Sequence, residues 1–321
     1  ACFQQEAKKF WLQQLSMVDF AIEIPPNKSI DAYAKRATEL KAKRYEFEMS
    51  SQDSIKLNQL ASSNGVTVYS TLMSLFSILI ANYTFNENVT ILSAASGREP
   101  PFLNTPGFFV NLLINVFDLN ENQTFCDFLI ENHKNILNRI KFQNYPFAEI
   151  DKILQKKGFF NVLENIALIF QNNKTPQLRL KDKVAELIVP QQSMLLDMRE
   201  YCRFGKFALF IQPTPQKFML TIEYAEAVYT PDFIKRIAKN FLYVVSQVCN
   251  TSFYELQRLK LKEISVVCDE ERSELMTLSR GPELDFFRLN QYDSLVRKFQ
   301  KTVEKYPNNN ALCYDKHRRS Y

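Results

Sequence analysis

Catalytic chemistry draws on histidines, cysteines, paired acids and glycine-rich turns, and this chain is sparing with several of them. Of 321 residues, two are histidine, His133 and His317. So far apart, they make neither a His-rich metal site nor the His-x-x-x-His pair of a zinc protease. The six cysteines, Cys2, Cys126, Cys202, Cys249, Cys268 and Cys313, include no Cys-x-x-Cys pair. A chain long enough to bury a sizeable core does not depend on them, so reduced thiols are expected. Cys126 and His133 are the one tempting nucleophile–base pair, but seven residues of helix separate them by about 10.5 Å of rise. A base must lie within hydrogen-bond reach of its nucleophile, so they cannot act together. His133 reads as a residue at the edge of an apolar helix face, and His317 as part of a solvated turn between strands. The six glycines, Gly65, Gly97, Gly107, Gly158, Gly205 and Gly281, are too dispersed for Gly-x-Gly-x-x-Gly or for a Walker A loop.

Three short words stand out. Pro106-Gly107-Phe108-Phe109-Val110-Asn111 places a glycine and two aromatics before a strand, with one polar Asn among apolar neighbours. It reads either as a tight turn into a core strand or as a backbone that approaches a ligand where glycine leaves room. Phe142-Gln143-Asn144-Tyr145-Pro146-Phe147 breaks a helix that ends near Lys141, as a stop at Pro with hydrophobic docking would. Gly97-Arg98 follows a strand, and its Arg is either solvated or aimed into a channel. Pattern alone names no general base.

The elements that would position these words are legible. The 46% hydrophobic and 23% charged residues are ordinary for a globular chain, and the length suggests two units or one with an appendage. Forty Lys+Arg against 35 Asp+Glu leave +5. The basic stretch Lys35 to Arg44 is interrupted by Glu39 and followed by Glu46 and Glu48, so a solvated face is expected rather than a nucleic-acid patch. Val66 to Phe85 carries no charge over 20 residues, long enough to span a bilayer. Its seven Ser, Thr and Asn residues and its all-round apolarity predict a buried core helix instead. A helix precedes Pro25-Pro26, and another covers 54–62. Strands are expected at 45–49, 89–95, 112–119 and 166–170, and an antiparallel pair at 207–211 and 218–224. Thr124 caps a helix whose inward face is Phe125, Phe128, Leu129, Ile136 and Ile140, and Thr230-Pro231 opens another. Regular patterning fails after Asn250 and Gly281-Pro282 marks a break. An amphipathic helix from Leu295 to Val303 and a strand at 311–314 follow. Strands and helices mix without strict alternation, which predicts an α+β sandwich. With no Met start and no leader, the chain reads as a piece of something longer.

In order, these words resemble the later core motifs of nonribosomal peptide synthetase condensation domains. Phe10-Trp11-Leu12-Gln13-Gln14-Leu15 is similar to the family's Tyr-Trp-x-x-x-Leu helix, and Ile22-Glu23-Ile24-Pro25 to the segment after it. Ala95-Ser96-Gly97-Arg98 resembles its small-Gly-Arg stretch, and Gly107-Phe108-Phe109-Val110-Asn111 its Gly-x-Phe-Val-Asn motif. Gln143, Pro146 and Phe147 fit His-Gln-Asp-x-Pro-Phe-Glu, with Phe142, Asn144 and Ala148 as departures. Phe170-Gln171-Asn172 and Leu220 to Tyr224 resemble two later strands. Leu295 through Val303, Pro307, Ala311-Leu312 and Ser320-Tyr321 resemble the opening of an adenylation domain. Other departures are Ala208 for a usual Asp and 156–163, where an Arg-Asp-x-Ser-Arg-Asn-Pro-Leu motif is unrecognisable. The His-His-x-x-x-Asp-Gly motif is absent and is expected upstream of the Trp11 helix.

The resemblance implies a chloramphenicol-acetyltransferase-like fold: residues 1–250 mainly the C-terminal lobe of a condensation domain, 251–290 a linker, and 291–321 the truncated start of an adenylation domain. It implies a parent enzyme that forms amide bonds between carrier-bound aminoacyl or peptidyl thioesters, with this fragment inactive alone. Arg98, Gly107, Phe109, Val110 and Asn111 would line the substrate tunnel, while Gln143, Pro146 and Phe147 would position a loop. No catalytic residue and no metal ligand is assigned. No cofactor is expected on the chain itself; phosphopantetheine would come on carrier proteins, with ATP and Mg only where a full adenylation domain is present. Upstream and downstream peptidyl carrier proteins, the missing N-terminal lobe and an adenylation domain in cis are the expected partners, with no nucleic acid and no membrane, in the cytoplasm. The other readings are a condensation-like module that only binds carriers and a coenzyme-A-dependent acyltransferase of the same fold.

Overall fold

A computed structural model describes residues 2–16, 22–33, 35–98, 100–102, 105–156, 165–172, 179–180, 183–184, 201–280, 294–314 and 317–320. Two compact units divide at Cys268/Asp269. The first is built on a six-stranded sheet of β1 (Ala42–Glu48), β2 (Asn88–Ala95), β3 (Asn111–Asp118), β4 (Ile166–Phe170), β5 (Phe207–Pro213) and β6 (Phe218–Ala225). Their order is β1-β6-β5-β4-β2-β3. The β4 strand runs parallel to β5 and to β2, and the other pairs are antiparallel.

Both sheet faces are buried over the central strands, and the period-2 alternation of strands divides their side chains between two cores. Phe207, Leu209 and Ile211 of β5, with Ile166 and Leu168 of β4, enter the larger core. Ala208, Phe210, Ala167 and Ile169 enter the smaller one. Four helices supply the larger core: α2 (Ser51–Ser63), α3 (Val68–Thr84), α4 (Phe125–Lys141) and α6 (Pro231–Asn250). The uncharged α3 is central, packed on α2, α4, α6 and β2 and buried continuously from Ser70 to Ile80. No single described helix is long and apolar enough to cross a membrane; α2 and α3 pass that test only as a pair, bent by 107°. The smaller core lies under α1 (Cys2–Gln14), through Ala7 and Trp11, and under α5 (Phe147–Lys156), through Ile150 and Leu154.

Two of three helix caps, Thr124 and Thr230, are those the sequence predicts. Thr67, Thr124 and Thr230 each accept a backbone N–H three residues on, opening α3, α4 and α6. Ala208, where the resemblance expects Asp, stands opposite Glu223 across the sheet. That fully buried carboxylate accepts hydrogen bonds from Arg44 at 2.6 Å and Arg203 at 3.2 Å, so the charge at this place comes from the neighbouring strand. Cys126, Cys202, Cys249 and Cys268 form no disulfide among the described residues, and burial pushes the Cys202 thiol up to about 12.

Residues 251–268, read from sequence as the start of a linker, fold back on the first unit. A short helix, α7 (Phe253–Leu256), and the turn after it bury Leu256, Leu261 and Ile264, and Phe125 N donates to Leu259 O at 2.7 Å. The segment is too short and irregular to show a period, although its apolar residues are anchored. Of the remainder of the expected linker, 269–280 belong to the second unit, while 281–290 lie outside the described residues, as do 157–163 of the unrecognisable motif. The second unit contains α8 (Asp269–Ser279), α9 (Leu295–Lys305) and an antiparallel hairpin of β7 (Asn310–Tyr314) and β8 (His317–Ser320). His317, expected in a turn, is instead the first residue of a paired strand.

Phe76 of α3 is 1% exposed, with its ring stacked 6.4 Å from Phe207 and edge-on 5.9 Å from Phe241. It joins the sheet to two helices, so Phe76→Ala should lower stability by about 3–5 kcal/mol, measured by urea unfolding.

Candidate functional site

The three words singled out in the sequence meet at one end of the sheet, where β2 ends, β3 begins and α4 gives way to α5. A helix that stops at Lys141 and another that starts at Phe147 leave orphaned carbonyls and amides between them. Asn111, first residue of β3, satisfies three of these groups. Its Nδ2 donates to Gln143 O and Tyr145 O, both at 2.7 Å, and its Oδ1 accepts from Phe147 N at 3.2 Å. A primary amide can serve in this way because it carries two donors and an acceptor. Gln143 turns the other way, its Oε1 accepting from Gly97 N at 3.3 Å. Pro146 is exposed just ahead of α5, and its carbonyl accepts from Glu149 N at 3.0 Å.

Arg98 organises the intervening loop. Its guanidinium donates to Phe102 O at 3.2 Å, Thr105 O at 2.5 Å and Gly107 O at 3.0 Å, and lies 4.5 Å from the centroid of the Phe109 ring. Of the two sequence readings of this Arg, solvated or aimed into a channel, the geometry gives a third: it ties down its own chain. Gly97 allows the loop to close, with φ +61° and its Cα so near Phe109 O that a Cβ would come within 2.0 Å of it. The close backbone approach that glycine permits here is therefore by the chain itself. A Cβ on Gly107 would stand 3.0 Å from the Phe109 ring. Phe108 points outward, 91% exposed, Val110 is also exposed, and the exposed Phe102 has its ring 5.9 Å from that of Phe109. The structure thus brings together Arg98, Gly107, Phe109, Asn111, Gln143 and Phe147, with Val110 on the outer rim.

Sequence reasoning missed what lies beneath. Trp11, fully buried on α1, donates its indole N–H to Phe142 O at 3.3 Å, and Phe10 stacks on the Phe142 ring at 4.6 Å. Phe142, standing where the resemblance has His, thus offers α1 an aromatic face and a carbonyl. Arg139, one turn earlier on α4, is 3% exposed and donates to Gln14 Oε1 and Val116 O, each at 3.0 Å. Burial pulls its guanidinium down to about 10. No local pattern marks a buried Arg on a polar helix; its alignment with the inward Phe125–Ile136 face was the only available signal. His133 does have a hydroxyl partner, Ser70 Oγ at 2.8 Å from its Nδ1. Ser70 is 1% exposed and also bonds Thr67 Oγ1 at 2.9 Å, so the pair clamps α3 to α4 and offers no open nucleophile.

Residues 3–276 match the family described as the condensation domain. The chain belongs to that family. Tyrocidine synthase 3 of Brevibacillus parabrevis is 24% identical over 270 residues, which is 83% of this chain and 4% of that protein. Gramicidin S synthase 2 of Brevibacillus brevis is 23% identical over 318 residues, 96% of this chain and 6% of that one. The chain therefore spans under a tenth of these relatives' length. Among solved structures, holo-AB3403, a four-domain nonribosomal peptide synthetase bound to AMP and glycine, superposes with a TM-score of 0.72 at 18% identity, over 98% of this chain and 24% of that one. The first condensation domain of the calcium-dependent antibiotic synthetase, in complex with a substrate analogue, gives 0.62 at 10% identity, over 83% and 54%. The chloramphenicol-acetyltransferase-like architecture expected from sequence is the fold of these neighbours. One expectation is corrected: the family match assigns 3–276 to the condensation domain as such, where the sequence reading took the chain to be mainly its C-terminal lobe.

Gly97→Ala should unlock the loop. With positive φ and backbone in the way of any Cβ, it should cost about 1–3 kcal/mol of stability and make 97–111 the first segment to exchange its amide hydrogens.

Proposed function

We propose that this condensation-family chain serves amide-bond formation between two carrier-bound substrates, its part being to hold the reacting groups rather than to move the proton. In the reaction proposed, an amine on one carrier attacks the thioester carbonyl on the other; the C–N bond forms, the C–S bond breaks, and the amine proton ends on the departing thiolate. Holding is the role given to these residues because the clustered side chains are an Arg, amides and aromatics. The observation that carries the reading is the joint at Asn111, which ties the Gly-Phe-Phe-Val-Asn word to the Gln-Asn-Tyr-Pro-Phe word by three hydrogen bonds. The exposed Phe102, Phe108 and Val110 are apolar side chains suited to a thioester-borne acyl group. Phosphopantetheine arms on upstream and downstream carrier proteins are the proposed carriers of both substrates.

We further read 291–321, the later part of the second unit, as the opening of an adenylation domain. Supporting this, α9 is amphipathic, with Leu295, Val296 and Phe299 exposed, and the superposition on the four-domain synthetase extends over 98% of the chain.

Asn111→Ala in the full-length protein should cut amide formation by about a hundredfold, the scale of a 1 Å misplacement of positioned groups, while the domain stays folded. Transfer between loaded carriers, followed by mass spectrometry, measures it. Unchanged product yield would remove Asn111 from the site. Carrier binding with no product even from the unmutated protein would favour a module that only docks carriers.

A further inference from the structure

Three elements converge on the 142–147 turn: α1 through Trp11, β3 through Asn111, and α4, which runs directly into it. Arg139 touches the same three elements about one turn below. Its own backbone is in α4, three residues before Phe142. It donates to Gln14 at the end of α1 and to Val116 O on β3, each at 3.0 Å. The β3 strand is an edge of the sheet, and edge carbonyls have no strand to pair with; Arg139 supplies a side-chain donor there and carries α1 along with it.

A side chain kept only for stability is a poor fit to this position. Arg139 is 3% exposed, and its Nε and Nη1 have no hydrogen-bond partner among the described residues. A buried guanidinium with two nitrogens unsatisfied is costly to keep, and apolar replacements of buried charges often leave stability equal or higher. What the charge does obtain is geometry: the two N–H groups of a single nitrogen, Nη2, tie Gln14 of α1 and Val116 of β3 to α4.

We propose that Arg139 is a positioning residue for the candidate site, a brace that holds α1, and so the Trp11–Phe142 contact, against the turn that Asn111 caps. The inference rests on the 142–147 turn being part of the condensation site, and its first test does not depend on activity. Trp11 is the sole tryptophan of the chain and is fully buried, so its fluorescence reports on the contact directly. In Arg139→Met, Trp11 emission should move to longer wavelength and acrylamide quenching should rise, while the melting temperature stays at or above that of the unmutated chain. Gln14→Leu removes only the α1 arm and leaves the guanidinium on Val116, so it should give the same Trp11 signature and serves if Arg139→Met does not fold. In carrier-to-carrier transfer by the full-length protein, both variants should lower kcat by about tenfold or more with KM for the carriers unchanged.

Trp11 emission and quenching unchanged in both variants would overturn the brace. A released Trp11 with kcat intact would overturn the positioning role. If the unmutated protein forms no amide at all, the functional reading fails, and the Trp11 measurements still decide whether the brace exists.

Discussion

The joint between α4 and α5 is the constraint around which this end of the molecule is arranged. Two helices that meet at a sharp turn expose carbonyls from one and amides from the other, and such groups cannot be left unpaired beside a hydrophobic core. Asn111 meets the need with one side chain because an amide can give and accept at once. Much else follows from placing it there. The β3 strand must begin at this turn, the loop before it must return from β2 in a tight arc, and that arc needs Gly97 for clearance and Arg98 to gather its carbonyls. The site is therefore braced mainly through backbone atoms, which tolerates change in the side chains of the loop and little change in its path.

This explains which parts of the molecule could be read from its residues. Helix starts at Thr124 and Thr230 and the strands at 88–95, 111–118, 166–170, 207–213 and 218–225 all carry local signals, either a cap or a run of β-branched and apolar residues. The burial of α3 was legible from its all-round apolarity. The site words were visible as unusual strings, but their geometry was not. Gly97 and Phe109 are distant enough in sequence that no pattern says whether the space beside the glycine belongs to a ligand or to the chain. His133 was measured against Cys126 on its own helix, when its partner Ser70 lay on another. Arg139 and Gln14 are 125 residues apart, and one-dimensional periodicity does not reach across that gap.

The departures from the family pattern look different in three dimensions. Ala208 omits a carboxylate, yet Glu223 stands opposite it and is clasped by two arginines. Phe142 omits an imidazole and offers α1 an aromatic surface in exchange. Both replacements keep a place packed while changing its chemistry, which is how a scaffold can persist at 24% identity.

The sheet order carries a consequence for how the chain is made. Among the described residues the β1 strand pairs with β6 alone, and its register joins Ala42 to Ala225. At translation speeds of about 5–20 residues per second, roughly ten to forty seconds pass between the synthesis of the two ends of that pairing. Through that interval the first strand has no native neighbour, and Tyr45 and Phe47 have no completed core to enter. Its companions on the same segment are Lys43, Arg44, Glu46 and Glu48, charges of both signs that discourage a waiting strand from pairing with another chain. The alternation that looks in the folded state like a solvated edge also serves the nascent chain, as protection during its wait.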